Sequence, residues 1–174
     1  MQKGCEKQAI RPKIKLIKSS ADILAEYLSW TLLAANLILA VYGYTRLPET
    51  VPTHFNLHGE ADGFGDKSSI LFLPLVAFIL TAGITWLNHY PEVFNYPVKI
   101  TQENAAEQYQ KASRLLRWLK VMLNLVFLLI TFAIFRSAQQ SSCQMQPLVI
   151  VSSLVLPAIP LIVYLLNHLK RKGN

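Results

Sequence analysis

Tyr27–Tyr44 reads YLSWTLLAANLILAVYGY, 18 residues without a charge. As a helix rising 1.5 Å per residue it covers about 27 Å, close to the hydrocarbon thickness of a bilayer. Apolar side chains occupy every face of that helix rather than one stripe, the pattern of a helix solvated by lipid. The basic tail ahead of it has the outline of a secretory signal, but the run is too long for one. Three comparable runs follow, Ile70–Leu87, Trp118–Phe135 and Pro147–Leu166. The expectation is an all-α integral membrane protein of four transmembrane helices, with spans at about 24–45, 69–89, 115–136 and 147–168. Tyr27, Trp30, Tyr42, Tyr44, Trp86 and Tyr90 sit near the span ends, where aromatic anchors meet the headgroups.

Composition and charge placement support the same class. Of 174 residues, 52% are hydrophobic and only 16% charged, against about 25% charged in soluble domains. The net charge of +7 would suit a nucleic-acid binder only if it lay on folded faces. Instead it lies between apolar runs, so the expected partner is the lipid bilayer and not nucleic acid. Residues 1–20 read as a basic cytoplasmic tail and 21–174 as one four-helix membrane domain. The tail carries six lysines and arginines, the second connection with the start of the third span five, and the C-terminus three, so 14 of the 17 fall on one side. Positive residues stay inside, which predicts cytoplasmic N- and C-termini and an outer loop between helices 1 and 2. On this topology Cys5 and Cys143 face opposite sides and cannot pair.

The spans carry few polar groups. Lys120 is the one charge within them, a turn from an end, where its stem can snorkel to the interface. Lys111, Arg114, Arg117 and Lys120 are expected to meet anionic lipid. Asn36 and Asn124 are expected to bond between helices, and Pro157 and Pro160 to kink the fourth helix. No break interrupts Thr101–Phe135, so the third span is read as the end of one long helix with Thr101 as N-cap and Glu107 pairing with Lys111. Ser19 and Asp22 resemble a capping box for the first. Arg11–Lys18 alternates basic and aliphatic residues, as a short strand or an extended membrane-surface segment would.

The loop Leu47–Ser69, LPETVPTHFNLHGEADGFGDKSS, differs from everything around it. Pro48 and Pro52 force an extended entry; if the extension continues, His54, Asn56 and His58 share one side, opposite Phe55 and Leu57. Gly59, Gly63 and Gly65 permit the return. Three chemistries compete for the histidine side. A divalent metal such as zinc would take His54, His58 and a carboxylate, Asp62 or Glu60. General acid–base work by a histidine lacks a nearby nucleophile. The structural or partner-binding alternative has these side chains fold the loop onto the bundle.

Pro48, Pro52, His54, Asn56, Gly59, Asp62 and Lys67, followed by Pro74 in the next span, resemble the signature of the bacterial membrane family known as domain of unknown function 1648, over roughly Leu33–Ala82. The tail RPKIK and the segment NYPVKITQENAAEQY also look like parts of stand-alone members. The resemblance extends to immunity proteins for a sporulation-delaying peptide toxin (SdpI-type), which carry further spans after the shared block. It implies a multi-pass protein of the bacterial cytoplasmic (inner) membrane whose loop motif is Pro52, His54, Asn56, Gly59, Asp62 and Lys67. The resemblance implies an immunity or signalling role, and the polar outer loop 47–69 without a catalytic constellation points to non-enzymatic binding of a peptide or protein partner. A metal-dependent membrane hydrolase using His54, His58 and Glu60 or Asp62 is the alternative. A small transporter subunit, working as a homo-oligomer, is the third.

Overall fold

The computed structural model describes residues 11–56, 58–139 and 147–170, with side chains to 166. Expectations resting on Cys5, Leu57 and Cys143 fall outside these residues. Among the described residues four helices are long and apolar enough to cross a membrane. They are α1 (Ser20–Arg46), α2 (Phe72–Leu87, entered through a 3-10 turn at Lys67–Leu71), α3 (Ala105–Gln139) and α4 (Pro147–Lys170). The connection between α1 and α2 is a two-stranded antiparallel hairpin, β1 (Thr50–Phe55) with β2 (Ala61–Asp66), so the fold is not purely helical. An extended chain with unpaired backbone N–H and C=O groups is stabilised by pairing with itself, and the glycine-rich return segment supplies the second strand.

Helix α1 starts where Ser19 and Asp22 close a capping box, each side chain accepting a bond from the other's backbone N–H. Its packed face is Ala25, Ser29, Leu33, Asn36, Ala40 and Gly43, a row at three- and four-residue spacing made mostly of small residues. Small residues let helix backbones approach in a bundle where lipid removes the hydrophobic drive between helices. Helix α3 is the hub and packs on α1, α2 and α4. Helix α4 continues as one element through Pro157 and Pro160 and packs chiefly on α3, leaving Leu148, Val151 and Leu154 exposed on its outer face. Pro74 lies in the first turn of α2, where its missing N–H disrupts little.

The bundle has a distinct cluster at each end. At the hairpin end Ala40, Leu47, Val51, Ile70 and Ile134 form a core that ties β1 to α1, α3 and the turn before α2. At the other end Ile100, Ala105 and Tyr109 pack with Ile14, Leu16, Tyr96 and Val98. There the residues 11–18 are extended without a strand partner. Ile14 and Leu16 turn inward and Lys13 and Lys15 outward, the alternation visible in the sequence. Arg11 pins the segment by donating to the carbonyls of Glu92 (2.9 Å) and Phe94 (2.6 Å) and stacking over the Tyr96 ring. Helix α3 is a single helix of 35 residues, Ala105–Gln139, and its first helical bond reaches back to Thr101, whose carbonyl accepts from the Ala105 N–H at 3.0 Å. Asn104 supports that start, accepting from the Thr101 N–H and donating to the Lys99 carbonyl. Glu107 and Lys111 form the expected pair at 2.8 Å.

Candidate functional site

The hairpin turns on Asn56. Its Oδ1 accepts from the backbone N–H of His58 (2.9 Å) and Glu60 (3.0 Å), and its Nδ2 donates to Glu60 Oε2 (2.9 Å). Asparagine supplies an acceptor at the reach of the second following amide, which nucleates such turns. Gly59 completes the reversal at φ 83°, in the left-handed region that a side chain disfavours. The extension therefore ends at Phe55, and the alternation that would have set His58 beside His54 does not reach it. His58 stands exposed in the turn.

His54 faces Gly63 across the ladder, beside irregularities in register on both sides of it. A Cβ on residue 63 would lie 2.9 Å from His54 Cβ, so glycine is what lets the histidine approach. The ring Nδ1 meets Asp62 Oδ1 at 2.5 Å, with the side chains 73% and 45% exposed. An exposed pair of this kind contributes roughly 0–1 kcal/mol, so its effect is to orient the ring and leave Nε2 free rather than to hold the fold. Pro52 is buried in β1 against the bundle. Lys67 bonds Glu49 Oε1 at 2.7 Å and lies over the Tyr44 ring, closing the hairpin at its base. Asp66 caps the 3-10 turn through Ser68, whose hydrogen bonds hold its carboxyl below the usual carboxylate range.

Beneath the hairpin lies a cavity of about 710 Å3. Thr53, His54, Asn56, Ser68 and Ser69 give it a polar rim, and Leu73 of α2, Ile130 and Ile134 of α3 and Val149 and Ile150 of α4 give it apolar walls. Pockets of this size with a few convergent polar groups are the usual form of small-molecule sites. Of the motif residues, the structure thus brings His54 and Asn56 to the cavity and Asp62 to His54. Gly59 shapes the turn, Pro52 seats the strand, and Lys67 fastens the base. For a metal, His54 and Asp62 meet but His58 does not join them; among the described residues no three His, Cys, Asp or Glu side chains gather.

A second polar cluster lies at the opposite end, and there the sequence expectation fails. Lys120 does not snorkel. It is 1% exposed, with its ammonium 2.6 Å from Glu26 Oε2 and donating to Thr85 Oγ1 at 2.7 Å. Arg117 is buried beside Asp22 (3.3 Å) and Glu26 (3.5 Å), and Arg114 also reaches Asp22. Two of the four cations assigned to lipid are therefore buried between helices. Either charge alone in this place costs several kcal/mol of desolvation, which the facing carboxylates of α1 offset. One turn deeper, Asn124 donates to Ser29 Oγ (3.2 Å) and Thr81 Oγ1 (2.8 Å), the interhelical bond expected of it. Asn36 does not follow: both its amide atoms are buried without a hydrogen-bond partner among the described residues. A signal for this cluster was present. Asp22, Glu26 and Ser29 follow one another at four and then three residues and Arg117, Lys120 and Asn124 at three and then four, each set on one helix face, with complementary chemistry at an offset of 94 to 95 residues.

Residues 31–78, spanning the second half of α1, the hairpin and the start of α2, match the model of the family described as Domain of unknown function (DUF1648). The chain carries that domain. A protein of the archaeon Archaeoglobus fulgidus, described only as an uncharacterized protein, is 35% identical over 108 residues, covering 54% of this chain and 59% of the archaeal one. No solved structure matches the chain.

Proposed function

We propose that this membrane protein is a non-enzymatic binding protein of immunity or signalling type, acting through the hairpin 47–69. The observation that carries the reading is that His54 and Asn56, both members of the loop motif, line a cavity together with the hydroxyls of Thr53, Ser68, Ser69 and Ser153. A polar surface laid over an apolar space is suited to recognition, and the motif residues are spent on shaping it. The exposed side of the same hairpin, with His58, Asp62 and Phe64, is where a peptide or protein partner meets it. The charge balance of the loops supports a topology with the hairpin outside and both termini cytoplasmic, in the cytoplasmic membrane.

The test is complementation in the producing organism. A deletion strain should regain its wild-type growth or survival phenotype with the native chain. It should not regain it with the triple variant His54→Ala, Asn56→Ala, Lys67→Ala inserted at an equal level. Full rescue by the triple variant would contradict the proposal.

A further inference from the structure

The cavity is a groove, and its geometry selects its occupant. Helices α2 and α4 both pack on α3, and α4 packs chiefly there, so a cleft runs between them with Ile130 and Ile134 of α3 as its floor. Strand β1 lies over one end of this cleft. The walls are continuous with the faces that meet lipid: Phe72, which lines the cavity, is 64% exposed, and Leu148 and Val151 beside the lining residues of α4 are exposed as well. A helix with side chains is about 10–12 Å across. A methylene chain is far thinner and reaches from the polar rim to the depth of Ile130.

We propose that the groove holds an acyl chain of a phospholipid from the surrounding bilayer, with its glycerol-ester region against Thr53, Asn56, Ser68 and Ser69. This rests on the reading of the hairpin as the working element and names what lies beneath it. The rim supplies hydroxyl, amide and imidazole groups, and no Lys, Arg, Asp or Glu is among its described lining residues. That suits ester carbonyls and hydroxyls. The chain's methylenes replace water or a void along Leu73, Ile130, Ile134, Val149 and Ile150, and each buried CH2 is favourable. The occupant enters sideways from the leaflet, without crossing the hairpin.

The experiment uses the full chain reconstituted in vesicles of phosphatidylcholine and phosphatidylglycerol. A diazirine side chain is placed at Leu73, which lines the groove, or at Leu154, on the lipid face of α4. After extraction and extensive washing in detergent, irradiation and intact-mass analysis read the adduct. The expected result is a single phospholipid mass retained at the Leu73 probe and lost at the Leu154 probe. Val149→Phe, filling the groove, should cut the Leu73 adduct at least fivefold, whereas Val151→Phe, facing outward, should not. Equal adducts at both probes, no adduct at Leu73, or a peptide mass there overturns the proposal. A peptide mass leaves the hairpin-binding reading standing. Failure of complementation to depend on the hairpin, with a lipid still retained, removes that reading and keeps the lipid.

Discussion

Asn56 concentrates more of the hairpin's geometry in one side chain than any other residue of the loop. Asn56→Ala removes the acceptor of two turn amides and the donor to Glu60. The turn is exposed and water replaces part of what is lost, so the expected cost is about 1 kcal/mol, confined to the hairpin. Faster amide exchange across residues 58–66, with unchanged exchange in the helices, is the measurement. Lys120 behaves differently because it is buried. Lys120→Met leaves Glu26 facing Arg117 alone and should destabilise the bundle by about 3–5 kcal/mol, read as a fall in the thermal midpoint in detergent. The double variant Glu26→Gln, Lys120→Met should recover most of that loss, because both charges leave together. A double variant no better than the single one would show that the pair is not the source. At this scale the sequence was legible where chemistry is local: Ser19 with Asp22, Glu107 with Lys111, Gly59 at a turn; Asn56, expected on the extended side, instead organises that turn. It was not legible where a partner is distant. Lys120 and Glu26 are 94 residues apart, and a lysine one turn from a span end has the same local signature whether it snorkels or pairs.

Among the described elements, α1 and α3 make the most extensive contact. Ala25 and Ala40 are both fully buried on the packed face of α1. Ala40→Leu must push α1 from α3 beside the core of the hairpin end and should cost about 1–3 kcal/mol, with the cavity beneath β1 distorted. Leu37→Ala on the exposed face should be nearly neutral. Comparing the two thermal midpoints checks this; equal effects would mean that α1 does not pack through its small-residue face. The four spans were readable because lipid demands uninterrupted apolar length. The hairpin was not fully readable: prolines gave the extension of β1, but β2, with the sequence ADGFGD, has low strand propensity and forms because β1 offers it unpaired backbone groups. The start of α3 was readable at Thr101, whose N–H bonds the Asn104 side chain and whose carbonyl accepts from the Ala105 N–H.

For the whole molecule, the two ends of the bundle have opposite characters. One end carries Lys13, Lys15, Lys18 and the buried ionic cluster of Asp22, Glu26, Arg117 and Lys120, which fastens α1 to α3 with Thr85 of α2. The other carries the hairpin and its cavity. The ionic cluster fastens one end, and among the described residues the other end is joined by the apolar cluster beneath the hairpin. The proposed function depends on the two ends facing opposite sides of the membrane, with the hairpin accessible from outside. Cysteine labelling in intact cells addresses this most directly. In a background with Cys5 and Cys143 replaced by serine, a single cysteine at Glu60 or at Lys99 is treated with a membrane-impermeant maleimide. The account predicts labelling at position 60 in intact cells and labelling at position 99 only after the membrane is opened. Labelling at position 99 with protection at position 60 would place the hairpin inside and contradict it.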